Sequence, residues 1–243
     1  GEGFAVSGAE VVTITARDNA GNLATGRVLV QVLPVDGSAG ETREGFSVTV
    51  VPNPIQPDYL DLFVLTDDDR YAPRLRTGGS SPWRGLSLTS IAEGIWHATD
   101  ALTPGMEGPV DFLALALEGQ RLTSSRRQIF VGTAPAAAGK TIAAADFQLD
   151  VAAGDFGAEA VVAVIPGAID HVPEELVPIG SAFDVHATRP LTSSPSLSLR
   201  TPAGVDAAVY RWDGLDQRWR FVGGDRDGDR VQVALPRLGR YAL

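Results

Sequence analysis

The chain has 243 residues, no cysteine and a formal net charge of −10 at pH 7. The acidic balance argues against binding to nucleic-acid phosphates, which requires clustered lysine and arginine, and the lack of cysteine excludes disulfides and thiolate metal sites. No run of 18 apolar residues occurs, so the sequence predicts no membrane span. A chain of this length can form one large all-β domain or two to three small ones.

The first predicted element is a β-hairpin at residues 11–32. Apolar residues recur at every second position on both sides of the turn sequence RDNAGN, and this period of two is typical of strands. An isolated hairpin is marginally stable in water. We therefore expect the other strands of its sheet, and any signal peptide, to lie upstream of Gly1. Two alternatives stay open: the hairpin docks on the module that follows, or its open edges take a strand from another chain, which predicts a homo-oligomer.

The next predicted unit is a complete β-sandwich at residues 45–132. Four segments combine β-forming residues with flanking turn signals: Phe46–Pro54, Tyr59–Asp67, Leu86–Gly94 and Ile95–Leu102. The hairpin pattern of residues 11–32 then returns at residues 110–131, 99 residues later. This offset is close to the roughly 100 residues of an immunoglobulin-like sandwich, which predicts a tandem repeat of modules.

Three stretches of the first 130 residues resemble two known types of bacterial module. TARDNAGN, residues 15–22, resembles the closing hairpin of bacterial immunoglobulin-like repeats, which implies that residues 1–36 are the tail of a truncated repeat. NPIQPDYLDLFVLTDD at residues 53–68 and IWHATDAL at residues 95–102 resemble a β-sandwich near the C-termini of bacterial surface proteins and secreted subtilisin-like proteases. These resemblances imply a spacer, adhesion or accessory role outside the cytoplasm.

Residues 133–141 form an Ala/Pro-rich segment that we interpret as a linker. Its end, Gly139–Lys140–Thr141, is similar to that of a phosphate-binding loop. That motif requires a glycine five positions before Gly139, where this chain has Ala134. The sequence therefore predicts a connector here and no nucleotide site.

Residues 142–243 predict a second β-sandwich, built from an apolar strand at Ala160–Ile165 and several short strands. The sequence YRWDGLDQRWRFVGG predicts a hairpin with aromatic residues at alternate positions: Tyr210, Trp212, Trp219 and Phe221. Such aromatic ladders usually cover the face of a sheet. The alternative is that Tyr210, Trp212 and Trp219 stack on a sugar, which would make them ligand-binding residues.

The same region resembles a β-sandwich domain shared by ankyrins, netrin receptors and many bacterial surface proteins. The resemblance lies in VIPGAI, GSAFDVHATRPLTSSPSLSLR, VYRWDG and the terminal RLGRYAL. Some members of that family cleave themselves at a His-Phe-Ser sequence near the last strand. The corresponding residues 235–241 contain neither serine nor histidine, so we expect no self-cleavage.

The acidic sequence GDRDGDR is the candidate metal site. Calcium takes six to eight oxygen ligands, and carboxylates at alternate positions can supply several of them: Asp225, Asp227 and Asp229. Arginines are interleaved with these residues, however, and Asp-Gly is itself a hairpin turn signal, so a plain turn is the alternative. The three histidines, His97, His171 and His186, are isolated in sequence and predict no metal site.

No catalytic motif is found, since the sequence has no Gly-x-Ser-x-Gly elbow and its serine, histidine and aspartate spacing suggests no triad. We therefore expect no enzyme activity and no cofactor other than calcium. The sequence favours a non-catalytic structural or adhesion module set of a bacterial secreted or cell-surface protein, with other domains of the same polypeptide or neighbouring chains as partners. The alternatives are accessory C-terminal domains of a secreted hydrolase, a carbohydrate-binding module and a strand-exchanging filament subunit.

Overall fold

A computed structural model describes residues 8–17, 23–32, 45–66, 72–79, 82–118 and 121–243. Within these ranges the chain is all-β, with antiparallel strands and no helix, which confirms the predicted fold class. No helix in the described ranges is therefore long and apolar enough to cross a bilayer. Two compact units are distinguished, residues 1–36 and residues 37–243.

The first unit contains the predicted hairpin. Strand β1 (Gly8–Arg17) pairs with β2 (Leu23–Val32) in one unbroken antiparallel register, from Gly8 opposite Val32 to Arg17 opposite Leu23. Across the described part of the chain, these two strands form a sheet of their own. The predicted turn at residues 18–22 lies outside the described residues.

The second unit contains three antiparallel sheets. Its first eight strands are β3 (Phe46–Pro52), β4 (Tyr59–Thr66), β5 (Arg74–Gly79), β6 (Arg84–Leu86), β7 (Thr89–Ala92), β8 (Ile95–Ala101), β9 (Gly108–Glu118) and β10 (Arg121–Ala134). The ten that follow are β11 (Lys140–Ala143), β12 (Phe147–Val151), β13 (Ala160–Gly167), β14 (Ala182–Ala187), β15 (Ser196–Arg200), β16 (Val209–Asp213), β17 (Arg218–Gly223), β18 (Asp225–Asp227), β19 (Arg230–Ala234) and β20 (Gly239–Ala242).

The central sheet has nine strands in the order β17-β16-β20-β14-β13-β10-β9-β5-β6. A four-stranded sheet, β3-β4-β8-β7, packs on one of its faces over β5, β9, β10 and β13. A five-stranded sheet, β11-β12-β15-β19-β18, packs on the opposite face over β13, β14, β20 and β16. The two outer layers are thus staggered along the central sheet.

Strand β13 is the place where the two layers overlap. Val162 and Val164 belong to the core beneath the five-stranded sheet, whereas Val161 and Ile165 belong to the core beneath the four-stranded sheet. This explains the uninterrupted apolar run AVVAVI, because a strand buried on both faces does not alternate with polar residues. The antiparallel ladder from Phe130 opposite Val164 to Ala134 opposite Ala160 joins β13 to β10.

The predicted linker, residues 133–141, is mostly a short connection between two strands. Strand β10 ends at Ala134 and β11 begins at Lys140, so residues 135–139 alone separate the two strands. Strand β5 had no counterpart among the predicted strands, because its sequence RLRTGG has arginines and two glycines. Burial of Leu75 and Thr77 on one face nevertheless gives it a strand period of two.

Candidate binding pocket

The aromatic residues predicted at residues 210–221 are brought together by the β16–β17 hairpin. Tyr210 lies opposite Phe221 and Trp212 lies opposite Trp219 in the antiparallel register. The Trp212 and Trp219 rings are 5.4 Å apart at an interplanar angle of 62°, and the Tyr210 and Phe221 rings are 5.7 Å apart at 78°. These are edge-to-face contacts, the arrangement that the ring quadrupoles favour.

The ladder lies on the half of the central sheet that the four-stranded layer leaves uncovered. Residues directly opposite each other in neighbouring antiparallel strands share a face. Tyr210 is opposite Ala242, Arg240 is opposite Asp184, and Asp184 is opposite Ile165, whose side chain is in the core under the four-stranded layer. The same face therefore runs from that core, through a group of charged residues, to the aromatic ladder.

The segment after β13, residues 168–181, covers part of this face. The Trp219 indole Nε1 donates a hydrogen bond of 2.8 Å to the Asp170 carbonyl, and Trp219 is only 9% exposed. The His171 ring lies 5.8 Å from the Trp212 ring. Phe221, at the outer strand of the ladder, is 68% exposed. Most of the ladder is therefore engaged in packing within the protein.

A cavity of about 490 Å³ remains between this segment and the sheet. Tyr210, Trp219 and Ala242 line it from the sheet, and apolar side chains line it from the covering segment, Ile169, Val172, Leu176, Val177, Pro178 and Ile179. Residues 205–208 and Leu243 close it on another side. Two charged residues line the cavity, Glu175 and Asp206, and both are exposed acids.

Sequence reasoning identified the aromatic part of this cavity and missed the rest. The sequence feature that could have predicted the rest is the covering segment, where several aliphatic residues lie among prolines and do not alternate as in a strand. Such residues must be buried against another surface or exposed as an apolar patch. Neither Glu175 nor Asp206 belongs to a motif that the sequence identifies.

Two half-buried arginines anchor the start of the covering segment. Arg127 of β10 donates to the Pro166 carbonyl, and Arg240 of β20 donates to the Ala168 carbonyl. The Arg240 guanidinium also lies 3.6 Å from the Asp170 carboxylate. These charge-assisted hydrogen bonds fix the backbone at the point where β13 turns into the covering segment.

Three residues of the charged group around Arg240 have shifted pKa values: Arg127, Asp184 and His186. Burial lowers the pKa of Arg127. Burial raises the pKa of Asp184, although the charge of Arg240 opposes this. Burial lowers the pKa of His186, although its hydrogen bond of 2.8 Å with the Pro57 carbonyl opposes this. His186 thereby connects β14 to the loop between β3 and β4.

The predicted calcium ligands lie in or beside the β18–β19 hairpin and do not converge. Asp225 and Asp227 are exposed on β18, and Asp229 lies 3.1 Å from Arg200 Nε. Over the ranges that the structure describes, no group of three or more His, Asp or Glu side chains is placed to hold a metal ion. The geometry therefore lends no support to calcium at Asp225, Asp227 and Asp229.

The histidines, which the sequence showed as isolated, each have a separate environment. His97 Nε2 lies 2.9 Å from Asp61 Oδ1, and the ring of His97 contacts that of Phe63. His171 stacks near Trp212, and His186 contacts Pro57. The structure places the three in different parts of the second unit and does not combine them into one site.

Comparison of the chain with protein-family models, with curated proteins and with solved structures found no match. The resemblances to bacterial immunoglobulin-like repeats and to the ankyrin and netrin-receptor domain therefore stay predictions.

Proposed function

We propose that the chain is a non-catalytic structural or adhesion unit of a bacterial secreted or cell-surface protein, and that residues 45–243 act as one rigid spacer. The observation that supports this proposal is the central nine-stranded sheet, on which both hydrophobic cores are built. Tandem modules joined by a flexible linker would share no sheet and would turn about the linker.

A hinge between the two halves is opposed by the ladder between β10 and β13. Bending there would break the backbone hydrogen bonds from Phe130 opposite Val164 to Ala134 opposite Ala160. It would also expose Val161 and Val162, which are 2% and 0% exposed and belong to different cores. A surface protein that must hold a distal domain at a fixed distance would benefit from such a connection.

Single-molecule force spectroscopy tests the proposal. The full chain would be placed between two marker domains and stretched at constant speed. We expect residues 45–243 to extend in one step of about 70 nm, since a fully extended residue spans at most about 3.6 Å. Two separate steps, one for each half, would contradict a single rigid unit.

A strand-exchanging subunit is the second candidate, and the hairpin favours it. Among the described residues β1 and β2 pair only with each other, although each has ten residues. Light scattering on the full chain and on a chain lacking residues 1–36 distinguishes the candidates. A larger species that needs residues 1–36 supports strand exchange, and a monomer in both cases contradicts it. Repeating the measurement with a chelator tests calcium.

The carbohydrate-binding alternative receives less support from the aromatic ladder. A sugar stacks on the open face of a ring, whereas Trp219 is almost completely buried and contacts Trp212 edge-to-face. Phe221 is the exposed ring of this ladder. A glycan array with a Phe221→Ala control would test this alternative directly.

A further inference from the structure

We infer that the cavity between the aromatic ladder and residues 169–179 binds a small organic cation, an alkylammonium with a hydrocarbon chain. The inference does not depend on the proposed spacer role. Three properties of the cavity support it: its size and apolar lining, the sign of its charged residues, and the tyrosine ring in its wall.

The size and lining fit a small apolar body. The volume of about 490 Å³ is within the roughly 300–1,000 Å³ of small-molecule sites, which are mostly apolar with a few polar groups. The covering segment contributes aliphatic side chains. Part of the apolar rim stays open to solvent, since Val177 of this segment is 84% exposed and Val205 on another side of the cavity is 36% exposed. An apolar ligand chain would remove this surface from water.

The charged residues of the cavity determine which sign of ligand charge is favoured. Glu175 and Asp206 are the charged residues in its lining, and neither forms an ion pair within the part of the chain that the structure describes. Arg226 does not line the cavity, and its Nη1 donates a hydrogen bond of 2.5 Å to the Val205 carbonyl. An anionic ligand would meet two carboxylates, whereas a cation would be attracted to both.

The ring of Tyr210, which lines the cavity and is partly exposed, supplies the third property. Aromatic faces attract cations through the ring quadrupole, and alkylated ammonium groups are recognised in this way. A cavity that combines such a ring with carboxylates and aliphatic walls matches a ligand with an ammonium head and a hydrocarbon tail.

Isothermal titration of the full chain with three ligands of similar length tests the inference. Hexyltrimethylammonium is the cation, 1-hexanol the neutral analogue and hexanoate the anion. We expect the cation to bind about tenfold more tightly than the alcohol, and hexanoate to bind more weakly than the alcohol. Added NaCl should weaken binding of the cation and leave that of the alcohol unchanged. Equal affinities for cation and alcohol, including the case in which neither binds, would overturn the inference.

Two double variants, each of which removes two negative charges, locate the site. Glu175→Gln combined with Asp206→Asn should reduce the affinity for the cation about tenfold and leave that for the alcohol unchanged. Glu159→Gln combined with Glu174→Gln is the matched control, because these two exposed acids do not line the cavity. An equal loss in both double variants would mean a general effect of protein charge and would refute this site.

A third variant tests the role of the ring. Tyr210→Leu keeps an apolar side chain at the cavity and removes one aromatic face, so the affinity should fall for the cation by more than for the alcohol. The midpoint of urea unfolding, measured for each variant, shows whether the fold is retained. A folded Tyr210→Leu chain that binds cation and alcohol as the unmodified chain does would exclude the ring from recognition.

Discussion

Replacing Leu62 with alanine should destabilise both halves of the second unit together. Leu62 lies on β4 in the four-stranded layer, is 0% exposed and belongs to the core that includes Val161 and Ile165 of β13. A buried Leu→Ala substitution costs about 2–5 kcal/mol because it removes apolar contacts and leaves a cavity. With a urea slope of about 2–3 kcal/mol/M, a loss of about 3 kcal/mol lowers the unfolding midpoint by about 1 M.

The assay must report on each half separately. The chain has four tryptophans, and Trp83 and Trp96 lie in the half under the four-stranded layer, whereas Trp212 and Trp219 lie beyond β14. Fluorine NMR of chain labelled with 5-fluorotryptophan resolves them individually. We expect all four native signals to disappear at one urea concentration, and at one lower concentration in Leu62→Ala. Leu149→Ala, in the five-stranded layer, should likewise lower the urea midpoint of all four signals together.

Coupling of the two cores would be refuted if the signals of Trp212 and Trp219 kept their original urea midpoint in Leu62→Ala while those of Trp83 and Trp96 shifted. That result would mean that the ladder between β10 and β13 does not couple the two cores. Ile91→Ala is the control, because Ile91 is 55% exposed and its loss should change stability by less than about 0.5 kcal/mol.

Three further predictions concern single contacts. A Cβ on Gly132 would lie 2.7 Å from Cγ1 of the buried Ile142, so Gly132→Ala should lower the free energy of unfolding by about 1–3 kcal/mol, whereas Gly85→Ala, with no atom within 4 Å, should not. Burial lowers the pKa of His186 below 6.5, so the unfolded chain binds more protons and stability should fall as the pH drops below about 6.5. Burial raises the pKa of Asp184, so above pH 3.8 this residue makes stability rise as the pH falls and opposes the effect of His186. The contribution of His186 is therefore the difference in unfolding free energy between the native chain and His186→Gln at each pH. His171→Asn is the control. Arg240→Met removes the donor to the Ala168 carbonyl and should make residues 168–181 more sensitive to limited proteolysis, with Arg237→Met unchanged in this respect.

Much of the fold could be predicted because the strands follow local rules. The alternation in FSVTVV gives β3, and the paired runs around residues 119–120 give β9 and β10, since period and turn residues are properties of short segments. The sharing of one sheet by both halves could not be predicted. The run AVVAVI indicates burial on both faces of β13, but its hydrogen-bond partner on β10 depends on packing between segments that are far apart in sequence.

The candidate pocket also has one part that the sequence predicts and one part that it does not. Alternation places Tyr210 and Trp212 on one face and their hairpin partners beside them, and the structure has this register. The covering segment takes its position from Arg127 and Arg240, two arginines on strands that lie apart in sequence. No local pattern connects those arginines to the carbonyls of Pro166 and Ala168, so Glu175 at the rim could not be placed from the sequence.

The stagger of the two outer layers accounts for both the rigid connection and the pocket. Because the four-stranded layer covers β5, β9, β10 and β13, no sheet formed by the described residues of the second unit covers the same face of β14, β20, β16 and β17. An uncovered apolar sheet face in water is unfavourable, and here aromatic rings and residues 168–181 cover it in place of a sheet. An irregular segment packs less completely on a sheet than another sheet does, because its side chains do not repeat with the pleat. A cavity at this place is therefore a consequence of the shared sheet, and a variant that loosens β10 from β13 should weaken ligand binding at Tyr210 along with the rigidity of the chain.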